Sequence, residues 1–244
     1  MKTSGKIQMA LALAGLAAVP VAASAATTEL VQLQVNGGTI ASFNGSGTLV
    51  VPSGTTSGGV SFSGPNVSTR GPTTILNDDT LAVTNSSGSA ANITILLSDF
   101  NFAPTGTVVG SPTLYNTLHG TYLPLTSTGS ASASVISYVD PNNSQITLSN
   151  YSSLTNTGPS SASGITSSPF NGSTSSVVYT LGSGDFSLAQ IATLVLPAGA
   201  QITLGSTTVT NVPTIASPEP ASLALVGAAG LPLLLLRRRK GAAA

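Results

Sequence analysis

The sequence predicts an all-β fold, an antiparallel β-sandwich of jelly-roll type, on three observations. Apolar residues recur in short, β-branched runs that alternate with small polar ones. Clusters of Gly, Pro, Asn and Ser cut those runs at turn-rich spacing, with 26 Gly and 15 Pro in 244 residues. No 3.6-residue period is sustained anywhere except at the two ends of the chain, so helices have no place in the body. A β-helix is the alternative all-β architecture, and the lack of a fixed-period repeat counts against it.

Taken in order, Leu30-Val31-Gln32-Leu33-Gln34-Val35 alternates as a half-buried strand should, and Asn36-Gly37-Gly38 supplies a hairpin turn. Short strands are expected at Thr39–Phe43, Thr48–Val51 and Val60–Ser63, with Gly64-Pro65 and Gly71-Pro72 as punctuation. Thr80–Thr84 and Ile93–Ser98 read as an antiparallel pair around the polar loop 85–92, and Asp99-Phe100-Asn101-Phe102 continues the second strand. Pro104, Pro112 and Pro124 interrupt residues 103–132, predicting a long connection with at most one edge strand near Thr121–Leu123. Ala133–Val139 and Gln145–Leu148 read as another pair across Asp140-Pro141-Asn142-Asn143. The Ser/Thr/Gly-rich stretch 152–168 predicts a mobile loop. Strands at Ser176–Leu181, Ile191–Leu196 and Gln201–Leu204 complete the series, and Phe186–Gln190 is expected to be strand rather than helix.

Charge is distributed unevenly. Six of the seven basic residues lie at the termini: Lys2, Lys6, Arg237, Arg238, Arg239 and Lys240. Residues 26–217 keep only Arg70 against Glu29, Asp78, Asp79, Asp99, Asp140 and Asp185, a net charge of −5. Such a body has no electrostatic footprint for nucleic acid. There is no cysteine, so stability rests on the core, on assembly or on a bound ion rather than on disulfides.

Catalytic constellations are absent from the pattern. His119 is the only histidine, with no Gly-x-Ser-x-Gly elbow to accompany it, and it reads as a loop residue rather than a triad member. One histidine and no cysteine leave no zinc site. A glycosidase pair would have to come from five aspartates and Glu29, none in an aromatic-rich context. With no Trp, ring stacking on sugars is weakly provided for. Asn77-Asp78-Asp79 and Asp140-Pro141-Asn142-Asn143 are oxygen-rich turns of a kind that can hold Ca²⁺. The competing reading, that these side chains bond their own backbone, is favoured. No catalytic, cofactor or metal residue is therefore assigned. Asn-x-Ser/Thr triplets at Asn44, Asn66, Asn85, Asn92, Asn142, Asn150 and Asn171 are candidate glycosylation sites that such a composition also generates by chance.

The two ends carry an address. Lys2 and Lys6 precede an apolar segment from Ile7 to Val19, and Ala23-Ser24-Ala25 offers small residues to signal peptidase. Cleavage after Ala25 is expected, cleavage after Ala23 being the rival and a non-cleaved anchor the bland alternative. At the other end Ala221–Leu236 is sixteen residues without charge. As a helix it spans about 24 Å, short of the ~30 Å hydrocarbon core. Gly227, Gly230 and Pro232 weaken it, and Arg237–Lys240 holds its end in the cytoplasm. Pro218 and Pro220 keep Glu219 extended, as a protease or transpeptidase cleft requires.

Pro218-Glu219-Pro220, the apolar run and the terminal block Arg237, Arg238, Arg239 and Lys240 together resemble the PEP-CTERM sorting signal in order and spacing. The resemblance covers about a tenth of the chain. It implies export through the Sec translocon of a Gram-negative-type bacterium and recognition by exosortase, a membrane-embedded transpeptidase. It further implies removal of the tail and delivery to the cell surface or exopolysaccharide matrix, with transient membrane contact, much as a GPI signal is discarded. The expected organisation is a signal peptide at 1–25, a β-sandwich body at 26–209, a linker at 210–217 and a sorting signal at 218–240. The expected role is structural or adhesive and non-enzymatic. A bitopic protein with a retained C-terminal helix, and a secreted carbohydrate-binding module or hydrolase, are the alternatives.

Overall fold

A computed structural model describes residues 29–45, 48–52, 54–63, 66–70, 74–104, 107–182 and 184–215. The segments expected to be a signal peptide (1–25) and a sorting signal (218–240) lie outside these residues. Among the described residues no helix is long and apolar enough to cross a membrane.

The first hairpin forms as its sequence predicts. Strand β1 (Glu29–Val35) turns through Asn36 and Gly37, both at positive φ (50° and 80°), into β2 (Gly38–Gly45). Short strands β3 (Thr48–Val50), β4 (Thr55–Ser57), β5 (Val60–Ser63) and β6 (Asn66–Arg70) follow. The long strands are β7 (Thr74–Asn85), β8 (Ala91–Phe102), β10 (Thr113–Pro124), β11 (Ala131–Asp140), β16 (Phe186–Leu196) and β17 (Ala200–Asn211). Between and after them lie β9 (Thr107–Val108), a 3-10 turn at Tyr151–Ser153, β12 (Thr155–Asn156), β13 (Ser160–Ile165), β14 (Phe170–Asn171), β15 (Ser175–Val178) and β18 (Thr214–Ile215). Two large antiparallel sheets result, with a separate two-stranded ribbon of β9 and β18. The front sheet runs β12-β11-β16-β8-β1-β2, with β13 also on the β11 edge. The back sheet runs β14-β10-β17-β7-β5-β4, with β15 also on β10 and β6, carrying β3, on β7. This two-sheet arrangement excludes the β-helix alternative.

Four expectations need correction. Residues 113–124 are not a connection but a central back-sheet strand, paired with β17 over its whole length. The prolines bracket it, Pro112 just before and Pro124 as its last residue, so no ladder donor is missing inside it. Strands β7 and β8 do not pair; they belong to opposite sheets. Gln145–Leu148 is not a strand, because the turn after Asp140 carries the chain over the outer face of the front sheet instead of back along its edge. Residues 152–168 are ordered, supplying the 3-10 turn, β12 and β13, which pair with β11. In addition, β17 runs to Asn211 and β18 pairs with β9, so residues 210–215 contribute to strands.

The β7–β8 crossing depends on Asn85, which is fully buried. Its Nδ2 donates to the carbonyls of Ser89 (2.8 Å) and Leu196 (2.9 Å), and its Oδ1 accepts from the Ser87 amide (3.0 Å) and hydroxyl (2.6 Å). The Gly199 amide donates to its carbonyl at 2.8 Å. One side chain thus fixes the 86–90 turn and ties it to the turn joining β16 to β17, where the chain again changes sheets.

Inside the sandwich a large apolar cluster, including Leu33, Phe62, Leu81, Ile93, Val135, Leu194 and Ile202, occupies the end beside these turns. A smaller one of Phe102, Leu114, Val139, Tyr179, Phe186 and Leu188 occupies the other. Between them each of four facing strands places a polar residue in its inward series: Asn116 on β10, Ser137 on β11, Gln190 on β16, and Ser206 and Thr208 on β17. These residues bond across the gap between sheets. Asn116 Nδ2 donates to the Val135 carbonyl (2.8 Å), the Ser206 hydroxyl to Gln190 Oε1 (2.9 Å), and Ser137 shares a hydrogen bond with Thr208 (2.5 Å).

Asn85→Ala removes four side-chain hydrogen bonds from a buried site and is expected to destabilise the fold by about 2–4 kcal/mol, read as a lower urea midpoint at unchanged slope. Thr208→Val alone strands the buried Ser137 hydroxyl and should cost about 1–3 kcal/mol. Adding Ser137→Ala should cost less than the sum of the two single changes, a coupling that a double-mutant cycle measures.

Candidate functional site

The outer face of the front sheet is divided in two. Over one half, the segment after Asp140 lays Ile146, Leu148, Tyr151 and Leu154 on Leu30, Leu96, Tyr138 and Ile191. The turn that launches this cover is held by its own side chains. Asp140 Oδ1 accepts from the Asn142 amide (2.9 Å), and its Oδ2 accepts from the Ser144 amide (3.3 Å). Asn143 and Asn101, both at positive φ, exchange paired bonds of 2.7 Å that join the ends of β8 and β11. The Asp140 turn therefore uses its oxygens on its own backbone. Farther along, the Leu148 amide donates to Gln32 Oε1 (2.9 Å) and Gln145 Nε2 to Ser98 Oγ (3.1 Å), while Tyr151 meets Tyr138 edge-on at 5.2 Å.

The other half of this face is open. Strand pairing aligns Thr39, Gln34, Thr94, Thr193, Ser134 and Ser161 in a single row across β2, β1, β8, β16, β11 and β13. Adjacent strands lie about 4.8 Å apart, so a hydroxyl or amide recurs at that interval. All six are half-buried or exposed, and Gln34 Nε2 donates to Thr39 Oγ1 (3.2 Å). Asn92, Val195 and Ser132 form a second row beside the first. A groove of about 420 Å³ lies over the β8-β16-β11-β13 part of these rows, and among the described residues none that lines it is charged.

On the back sheet, His119 stands exposed in the middle of β10 rather than in a loop. It pairs with Asn171 on one side and Gly205 on the other. A cavity of about 280 Å³ opens there, lined by residues 119–121, 169–171 and 203–205.

The other residues singled out in the sequence are scattered. Glu29 and Asp99 are buried in β1 and β8, and Asp185 is exposed. Asn77-Asp78-Asp79 lies within β7 rather than in a turn, paired by backbone to β17. Among the described residues no three His, Cys, Asp or Glu side chains come together as a metal site would need. Of the glycosylation triplets, Asn85 is buried, whereas Asn44, Asn92, Asn142, Asn150 and Asn171 are exposed. Ala23, Ala25, Pro218, Glu219, Pro220, Arg237, Arg238, Arg239 and Lys240 lie outside the described residues. The hydroxyl row was missed by sequence reasoning. Its signal was a small hydroxyl between inward apolar residues, as in Ile93-Thr94-Ile95, Ala133-Ser134-Val135 and Ala192-Thr193-Leu194.

No protein-family model and no curated protein matches the chain. Among solved structures it is similar to the module TmCBM61, described in complex with β-1,4-galactotriose, at TM-score 0.29 and 8% identity, over 55% of this chain and 71% of that one. It is similar to TmCBM27, described as a mannan-recognising carbohydrate-binding module, at TM-score 0.26 and 13% identity over 64% and 90% of the two chains. The enzymatically active domain of bacteriophage CBA120 tailspike protein 4 matches at TM-score 0.25 and 12% identity, over 58% of this chain and 18% of that one. Superpositions at these scores carry no argument about the present site.

The cover segment affects titration. Burial pushes the Tyr138 phenol up, and the neighbouring Tyr151 adds to the shift. In the smaller core cluster burial raises Tyr179 as well, opposed by its hydrogen bond with Thr210. An unfolded tyrosine ionises near pH 10. A phenol held protonated in the fold therefore contributes stability below that pH, and loses it as pH rises through the folded value. The urea midpoint should fall above about pH 10. Tyr138→Phe and Tyr179→Phe should each make that fall shallower.

Proposed function

We propose that this chain is an exported, non-catalytic surface or matrix protein that holds neutral polysaccharide against the open half of its front sheet. The observation that carries the reading is the uncharged row from Thr39 to Ser161, in register across six strands. Hydroxyl and amide side chains both donate and accept, as sugar hydroxyls do, so each sugar hydroxyl meets a partner of either kind. The side chains in the groove are short and lose little rotamer freedom when a ligand orders them. Without Trp or charge, affinity accumulates from many weak contacts along a polymer, and this suits a protein surrounded by polymer. The strand path, which passes repeatedly from one sheet to the other, as at β7–β8, β8–β10, β10–β11, β15–β16 and β16–β17, supports the jelly-roll type of sandwich. Delivery rests on the sequence of the two ends: a Sec-type leader cut near Ala25, and a Pro218-Glu219-Pro220 signal read by an exosortase-type enzyme.

Thr193→Asp with Ser134→Asp places two charges in the groove on solvent-facing positions. This double variant should weaken binding to neutral polysaccharide at least about tenfold, about 1.4 kcal/mol, in affinity electrophoresis. Its urea midpoint should stay close to that of the parent. Retained binding would remove the front face from consideration. Mass spectrometry of the mature protein from its host should find a C-terminus lacking Arg237; a C-terminus that still carries it would favour a retained anchor.

A further inference from the structure

We infer that the His119 cavity is a second saccharide site, on the sheet opposite the groove, which takes a single sugar ring. The site is prebuilt by an unusual pairing. A side chain at Gly120 would bring its Cβ to 2.3 Å from the Thr203 carbonyl oxygen and 2.6 Å from the Phe170 ring, so the bare α-carbon is what admits Phe170. Phe170 is buried in the larger core cluster, and its strand is strapped to β10 by two ladder pairs and by the Gly172 amide on the Leu118 carbonyl (2.8 Å). On the other flank the imidazole lies over bare Gly205, where an added Cβ would meet His119 Nε2 at 2.4 Å. The two glycines thus let Phe170 and His119 pack close against the sheet backbone, which fixes two walls of the cavity.

The lining decides the ligand class. Pro169 and the His119 ring offer flat carbon surface, and the Thr121 and Thr203 hydroxyls and the Asn171 amide surround it. A pyranose has the complementary build, with C–H faces and a hydroxyl rim. Among the described residues no Lys, Arg, Asp or Glu side chain lines the cavity. A phosphate or carboxylate finds no permanent countercharge there, and a metal ion finds no carboxylate. The exposed wall is mostly carbon, which suits the C–H face of a sugar ring, and its few polar atoms are left to meet the hydroxyl rim. At about 280 Å³ the cavity sits just below the usual range of about 300–1,000 Å³ for drug-sized ligands, which fits one ring rather than a chain segment.

The site does not depend on the front-sheet reading. Only its consequence does: with sites on opposite faces, one domain bridges two polymer strands instead of coating one.

The test follows the His119 ring resonances by NMR during titration with glucose, galactose, mannose and their neutral β-1,4-linked oligomers. The protein is the described domain in its full exported chain, in parent and Thr193→Asp/Ser134→Asp forms. Saturable shifts with at least one sugar, equal in both forms and lost in Gly205→Ala, are expected. Gly205→Ala keeps the histidine while displacing it. His119→Ala should abolish turbidity or gelation of a neutral polysaccharide by the parent while leaving single-chain retention on that polymer. Ring resonances that stay unmoved by every sugar in both forms overturn the inference. Shifts lost in the front-sheet variant would also overturn it, because the reporter would then be sensing the groove. Shifts that persist when the front variant has kept its polymer binding would uphold the His119 site and sink the front-sheet reading alone.

Discussion

Asn85 is the constraint on which the rest of the sandwich depends. A chain that passes from one sheet to the other must interrupt its ladder, and each interruption strands backbone groups that have to be satisfied in a buried place. The Asn85 amide bonds the Ser89 and Leu196 carbonyls, while its oxygen collects the Ser87 amide and hydroxyl. The corners leaving β7 and leaving β16 are therefore a single hydrogen-bonded object. The large apolar cluster sits directly beside them, since Leu81, Val83, Leu194, Leu196 and Ala200 are the last and first inward residues of the strands they join.

From that closed end the two outer faces develop differently. The front sheet needs a cover because Leu96, Ile191 and Tyr138 point outward, and the segment after Asp140 supplies it. The cover ends where the outward residues turn to Thr, Ser and Gln. The boundary between apolar and hydroxyl rows on one sheet is thus also the boundary between a buried surface and an available one. On the back sheet His119 is exposed, and Gly120 and Gly205 let Phe170 and the imidazole lie close against the strand backbone.

Much of this was legible. The β1–β2 hairpin and the strand character of Phe186–Gln190 follow from period-two patterning and an Asn-Gly turn. Strand β10 was hidden because Pro112 and Pro124 look like breakers until one sees that they stand at its ends. Residues 155–165 were hidden because Ser, Gly and Thr give little strand signal, and their pairing comes from the edge of β11. Register is the deeper limit. Thr94, Thr193, Ser134 and Ser161 are unremarkable singly, and only long-range pairing makes them one row. The same holds for His119 and Gly205, eighty-six positions apart in the chain and adjacent in the sheet.

The polar residues that interrupt the interior have a mechanical reading. Apolar layers alone resist separation but slide past each other at little cost, because oily contacts have no preferred direction. Asn116, Ser137, Gln190, Ser206 and Thr208 place directional bonds between the layers midway along their length. They act as dowels between two boards. A cysteine-free domain tugged from outside would then yield by breaking these pins together, not by creeping, and the faces it presents would keep their mutual alignment until it did.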